Sequence, residues 1–127
     1  MLGAAVSVGY YLLTRDKEPV VQPEEVIRVD IYNGTDVPGL AKRAQHFLRE
    51  KGYDVLKIGT ASDHFEHSIV VERINPGKAN ARMLARSLKL HSKYITVSVD
   101  SSLAVAVTLF IGDDYETYLP DSTGDLP

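Results

Sequence analysis

The sequence predicts a mixed α/β (α+β) domain. Two βαβ units follow one another and pack as a ferredoxin-like split βαβ sheet with one extra strand and two helices on one face. Three observations predict it. Apolar and polar residues alternate in Ile27-Arg28-Val29-Asp30-Ile31-Tyr32, the two-residue period of a half-buried strand. The next apolar set, Leu40, Ala41, Ala44, Phe47 and Leu48, recurs at helical spacing. The pattern then repeats, because Asn33 to Tyr53 spans twenty positions and Asn75 to Tyr94 spans nineteen.

Taken in order, Leu2 to Leu13 is twelve residues without a charge, followed at once by Arg15, Asp16, Lys17 and Glu18. As a helix it would be about 18 Å long, against the roughly 30 Å of a bilayer's hydrocarbon core. Residues 1–13 are therefore expected to be the outer part of a membrane anchor that begins upstream of Met1, or a short anchor, the alternative being an apolar helix packed on the domain or on a second copy. Residues 14–25 hold two prolines and six charges and read as a linker. The folded domain is placed at 26–115, with 116–127 as a disordered tail.

Within the domain, Asn33-Gly34 punctuates the first strand, Thr35 or Asp36 is expected to accept from the first free helix amides, and Pro38 suits a first helical turn. Gly52 falls where a helix C-cap belongs, before a strand over Tyr53-Asp54-Val55-Leu56-Lys57-Ile58-Gly59. The second unit runs from Ile69-Val70-Val71 through a helix striped by Ala81, Leu84, Ala85 and Leu88 to an edge strand at Tyr94–Val99. Ala104 to Ile111 is almost continuously apolar and so belongs in the sheet interior.

Composition narrows the function. A net charge of -3 and a pI near 5.7 argue against a nucleic-acid binder. No cysteine is present, so disulfides, thiolate chemistry and Cys-based zinc sites are excluded. No G-x-S-x-G segment occurs, and no His–carboxylate pair is placed to support a nucleophile. Neither an enzyme nor a cofactor is expected.

Two regions remain as candidate contacts. Gly34 and Gly39 have phosphate-loop spacing, but Leu40-Ala41 stands where Lys and Ser/Thr would be required, so nucleotide hydrolysis is rejected. The turn of Asn33, Gly34, Thr35 and Asp36 is left either as a helix-terminus seat for a polar ligand or as a structural turn. In the latter, Asn33 bonds its own backbone and Gly34 supplies a positive φ. The second region is Arg82, Arg86 and Lys89, cations sharing one helix face, which could dock an anionic polymer; acidic residues after 112 could fold back to screen them. Asp63, His64, Glu66 and His67 cluster without a metal-motif spacing and read as a solvated loop. Asn33-Gly34-Thr35 also matches a glycosylation sequon, taken as accidental.

Several stretches carry a resemblance: Val29-Asp30-Ile31-Tyr32-Asn33-Gly34-Thr35, Val37-Pro38-Gly39-Leu40-Ala41, Lys51-Gly52-Tyr53-Asp54-Val55, Ile58-Gly59 with Ala61, and Val107 to Tyr115. With them the chain resembles the C-terminal module of the LytR cell-envelope-related attenuator family over about 26–115. The family's Gly-Asn-Ala step reads Gly59-Thr60-Ala61 here, so no role of that Asn carries over. The resemblance implies a non-catalytic module on the extracytoplasmic side of a bacterial membrane, tethered by its N-terminus. The expected partner is an anionic cell-wall polymer or another envelope component. The rival expectation is an assembly domain whose copies pair through the N-terminal segment.

Overall fold

The computed structural model describes residues 23–120. The apolar segment 1–13, most of the 14–25 linker and the end of the tail lie outside them. The described chain runs β1 (Arg28–Asn33), α1 (Leu40–Glu50), β2 (Asp54–Thr60), β3 (Ile69–Glu72), α2 (Ala79–Leu88), β4 (Ile95–Val97) and β5 (Val107–Ile111). Short 3-10 turns at Ser92–Tyr94 and Asp113–Thr117 complete it.

The five strands form one sheet in the order β2-β1-β5-β3-β4. Within each unit the strands are parallel and adjacent, β1 with β2 and β3 with β4. β5 enters between the units, parallel to β1 and antiparallel to β3. The α/β class, the paired βαβ units and the extra strand are those the sequence predicts. The interleaving differs from a split arrangement: the leftover apolar strand takes the central position, and neither unit is parted by a strand of the other. Its composition explains this, since Val107, Leu109 and Ile111 are all fully buried and Thr108 nearly so.

Both helices cover the same face. The units step outward from β5 in opposite directions and their strands are antiparallel, so two right-handed crossovers bring both helices to one side. There α1 packs on β1 and β2, and α2 on β3 and β4. Leu40, Leu48, Leu84 and Leu88 are fully buried, each contributing roughly 1.5–3 kcal/mol of burial free energy. Phe47 is only partly buried against the same core. Helix α1 ends as its sequence predicts: Gly52 has φ 95°, and the amides of Gly52 and Tyr53 bond the carbonyls of Arg49 and Leu48.

The domain continues past 115. Tyr118 and Leu119 are buried in the core, and Arg43 of α1 donates to the Pro120 carbonyl. Residues 116–120, expected to open a disordered tail, instead belong to the folded domain, because two apolar side chains there find the hydrophobic core; the rest of that expected tail lies outside the described residues.

Candidate functional site

The C-terminal ends of β1 and β5 gather three loops. The Gly34 amide donates to the Ile111 carbonyl at 2.9 Å, and the Gly34 carbonyl accepts from the Phe65 amide at 2.8 Å. The Phe65 carbonyl accepts from the Asp113 amide at 3.0 Å. Gly34 is needed for close approach, not for its φ, since positive-φ glycines are Gly39 and Gly52. A Cβ at Gly34 would stand 2.5 Å from Phe65 Cδ1 and 2.7 Å from the Ile111 oxygen.

Asn33 and Thr35 are occupied within the turn. Asn33 Oδ1 accepts from the Thr35 amide at 2.9 Å and the Thr35 hydroxyl at 2.8 Å, while Nδ2 donates to the Val37 carbonyl at 2.8 Å. Thr35 Oγ1 accepts from the Val37 amide at 3.1 Å. Helix α1 starts after Gly39 without a side-chain cap, so the cap expected from Thr35 or Asp36 is not made. Asp36 is exposed.

The neighbouring loop is held by its polar residues. Ser68 is fully buried; its hydroxyl accepts from the Gly112 amide at 2.9 Å and lies 2.6 Å from both Asp114 Oδ1 and the Tyr118 hydroxyl. Burial pushes the Tyr118 phenol well above its ordinary value. His64 Nε2 lies 2.8 Å from Asp113 Oδ2, and that hydrogen bond raises the histidine pKa. His67 stacks on Tyr94 with centroids 4.9 Å apart. The two histidines of the cluster therefore face different partners.

Arg82 and Arg86 are exposed on α2, and Lys89, expected on the same helix face, is exposed just past its end as the C-cap with φ 59°. Among the described residues none is in an ion pair, and the structure does not join them to the Asn33 turn. Of the acidic residues expected to screen them, Asp113 bonds His64 and Asp114 bonds Ser68, while Asp121 and Asp125 lie outside the described residues.

One residue escaped sequence reasoning. Glu72 ends the apolar strand β3 and is fully buried on the helix face. Its carboxylate accepts from the amides of Ala81 (2.9 Å), Ile74 (3.2 Å) and Asn75 (3.2 Å) and from Asn80 Nδ2 (3.0 Å). It thus fills the positive N-terminus of α2 from within. The legible signal was a carboxylate in helix-facing register at the end of an apolar strand.

Among the described residues the other sheet face carries no helix. Alternation places Asp30 and Tyr32 of β1, Lys57 and Gly59 of β2, and Phe110 of β5 there. Tyr32 stacks on Phe110 at 5.6 Å between centroids, and Phe65 continues the stack at 5.0 Å. Lys57 Nζ sits 5.9 Å from the Tyr32 centroid. Desolvation raises the Asp30 pKa, with Lys57 and Arg73 opposing it. Arg73 is fixed by its Nε donating to Thr108 Oγ1 at 3.0 Å.

With this fold and these loops in place, comparison with known proteins fixes the class. The family model described as LytR cell envelope-related transcriptional attenuator matches residues 26–115. The chain belongs to that family. A similar solved structure is the soluble domain of a conserved hypothetical secreted protein from Mycobacterium marinum, with TM-score 0.56 and 16% sequence identity, covering 81% of this chain and 71% of that one. At that identity the likeness concerns the fold. No curated protein matches the chain. Among the described residues no helix is long and apolar enough to cross a membrane.

Proposed function

We propose that this chain is a non-catalytic, extracytoplasmic module that binds a component of the bacterial cell envelope, with residues 1–13 as its membrane tether. The observation that carries the reading is the family match, which spans nearly the whole folded domain. The local chemistry supports binding over catalysis. Ser68 is buried and shared among three partners, and His64 pairs with Asp113, so both serve to hold loops. The proposed anion contact is the strip of Arg82, Arg86 and Lys89, which is exposed and lacks acidic partners among the described residues. Of the turn residues, Asp36 keeps its side chain in solvent, Gly34 bonds Phe65, and the Asn33 and Thr35 side chains bond within the turn.

The test is co-sedimentation of the full chain with wall material bearing anionic polymer. Binding should be strong near 10 mM salt, where screening extends to about 30 Å, and fall as salt approaches about 1 M. Replacing Arg82, Arg86 and Lys89 together by Ala should remove the salt-sensitive part. Absence of binding at low salt rules out the polymer contact. A stable dimer lost on deleting residues 1–25, with no envelope affinity, would replace this reading by an assembly role.

A further inference from the structure

Of the chain's three asparagines, Asn33 is the one that precedes glycine. An asparagine is lost when the amide nitrogen of the next residue attacks its side-chain carbonyl carbon. That nitrogen must carry a proton it can give up, and it must be free to approach. Pro76, after Asn75, has no N–H to lose. Ala81, after Asn80, carries a Cβ that hinders ring closure, and its amide is tied to Glu72 at 2.9 Å. Gly34, after Asn33, has the N–H and no Cβ.

The turn after β1 needs both members of this reactive pair. Gly34 is buried, and a Cβ there would stand 2.5 Å from Phe65 Cδ1. Asn33 holds Thr35 through Oδ1 and the Val37 carbonyl through Nδ2.

The fold keeps the reacting groups apart. The peptide link from Asn33 to Gly34 is gripped from both sides of β1. Its carbonyl accepts from the Ala61 amide, just past β2, at 2.9 Å. Its N–H donates to the Ile111 carbonyl, at the end of β5, also at 2.9 Å. With both groups paired, the link cannot rotate to aim the Gly34 nitrogen at the Asn33 side chain. The side chain is pinned as well, at 2.8–2.9 Å from Thr35 and 2.8 Å from the Val37 oxygen.

We propose that Asn33 is a deamidation site, silent while the turn after β1 is closed and reactive once that turn opens with the rest of the domain still folded. The Gly34 nitrogen gives up its proton and bonds to Asn33 Cγ. The Cγ–Nδ2 bond breaks, and Nδ2 leaves as ammonia with that proton. Water then opens the cyclic imide at either carbonyl, leaving aspartate or isoaspartate. Water is the sole co-reactant, and nothing is oxidised or reduced.

Both products disfavour reclosing. Each replaces the Nδ2 donor by a carboxylate oxygen, so two acceptors meet at the Val37 carbonyl with no proton between them. Isoaspartate also adds a carbon to the main chain before Gly34, which moves Gly34 out of register with Ile111 and Phe65. Deamidation is therefore a one-way record that the turn has opened. This inference does not depend on the envelope reading.

The experiment incubates the full chain in mildly alkaline buffer, folded or unfolded in guanidinium chloride, and follows each asparagine by peptide mass. Trypsin separates them, Asn33 into 29–42, Asn75 into 74–78 and Asn80 into 79–82. In the unfolded chain the mass change for NH2 replaced by OH should appear first in 29–42 and stay absent from 74–78. In the folded chain the 29–42 reaction should be slower by about tenfold or more, because a slow reaction of an opened state tracks that state's population. Phe65→Ala removes the ring packed on Gly34 and should speed the folded reaction about threefold or more. That gain should exceed what the variant's loss of global stability, read from its denaturant curve, accounts for. If Phe65→Ala does not fold, Thr35→Ala makes the same test by removing the hydroxyl between Asn33 Oδ1 and the Val37 amide. A folded rate within about tenfold of the unfolded one would overturn the proposal. So would an unfolded chain in which 29–42 reacts no faster than 79–82. A variant rate explained wholly by global unfolding would also overturn it, since the protection would then belong to the domain and not to the turn.

Discussion

The two strand-to-helix turns of this protein solve the same problem in opposite ways. Each follows a strand, opens with Asn and leads into a helix whose first amides need acceptors. In the second unit Glu72 reaches from the strand and accepts the amide of Ala81 in α2, and Asn75 Oδ1 accepts from Ala79. In the first unit Asn33 spends its side chain on Thr35 and Val37, and α1 starts with no side-chain cap. The second turn is a buried, charged clamp. The first is a surface turn whose backbone is given over to Phe65 and Ile111. The lesson is that similar sequence spacing need not mean similar energetics. The turn with less conspicuous residues carries the deeper anchor.

The largest effect should follow Glu72→Ala. Removing this carboxylate strands Asn80 Nδ2 and the Ala81 amide in the interior and takes the acceptor from the part-buried amides of Ile74 and Asn75, at roughly 3–5 kcal/mol. That is a large part of a small domain's stability of about 5–15 kcal/mol. Urea unfolding monitored by circular dichroism reads it. A loss below about 1 kcal/mol, the net value of an ordinary hydrogen bond, would show that the clamp is not what distinguishes the second turn.

Next is Gly34→Val, which drives a side chain into Phe65 and the Ile111 carbonyl. The expected loss is roughly 2–3 kcal/mol, the upper range for overpacking. It should be accompanied by displacement of Phe65, read from its ring shifts. An unchanged Phe65 environment would mean that the first turn does not hold the aromatic stack. Asn33→Ala should cost less, about 1 kcal/mol, because its hydrogen bonds lie near solvent. If the Asn33 and Glu72 variants lose equal stability, the contrast between the turns is void.

Much of the fold was legible because apolar periodicity reports burial directly. Leu40, Ala44 and Leu48, and Ala81, Leu84 and Leu88, are all fully buried as their spacing requires, and the run ending at Ile111 is the central strand. Strand order was less legible. Periodicity says which face a residue occupies and not which neighbour its strand chooses, so the insertion of β5 between the units had to come from the structure. The tail misled for a related reason: Tyr118 and Leu119 sit among prolines and acids, and their burial depends on contacts distant in sequence. The candidate site was partly legible. Asn33 and Gly34 were recognised as special, but their partner Phe65 lies in a loop no local pattern connects to them. Asp30, Tyr32 and Lys57 read as the solvent side of an ordinary strand. Only register with Gly59 and Phe110 turns them into a surface.

The smallest effect concerns how the loops around the first turn respond to pH. His64 is fully exposed, and its pKa is raised first by the hydrogen bond to Asp113 and then by that residue's charge. A histidine with a raised folded pKa contributes stability below its unfolded value near 6.5, and that contribution disappears as pH rises through the folded value. The pairing is therefore strongest in mild acid and lost on the alkaline side. Because solvent screens the pair, global stability should hardly move. The response should be local, with amide exchange between Ala61 and His67 speeding as His64 loses its proton. An NMR titration should place the His64 midpoint above 6.5, and Asp113→Asn should return it toward that value. The exchange rates should then lose their pH step as well. The second turn supplies the control, because no histidine bonds to the Glu72 clamp and its amides at Ile74, Asn75 and Ala81 should show no such step. A step of equal size at both turns would mean that the whole domain loosens and that His64 is a bystander. A step confined to the first would show that the surface turn can open while the buried clamp stays shut.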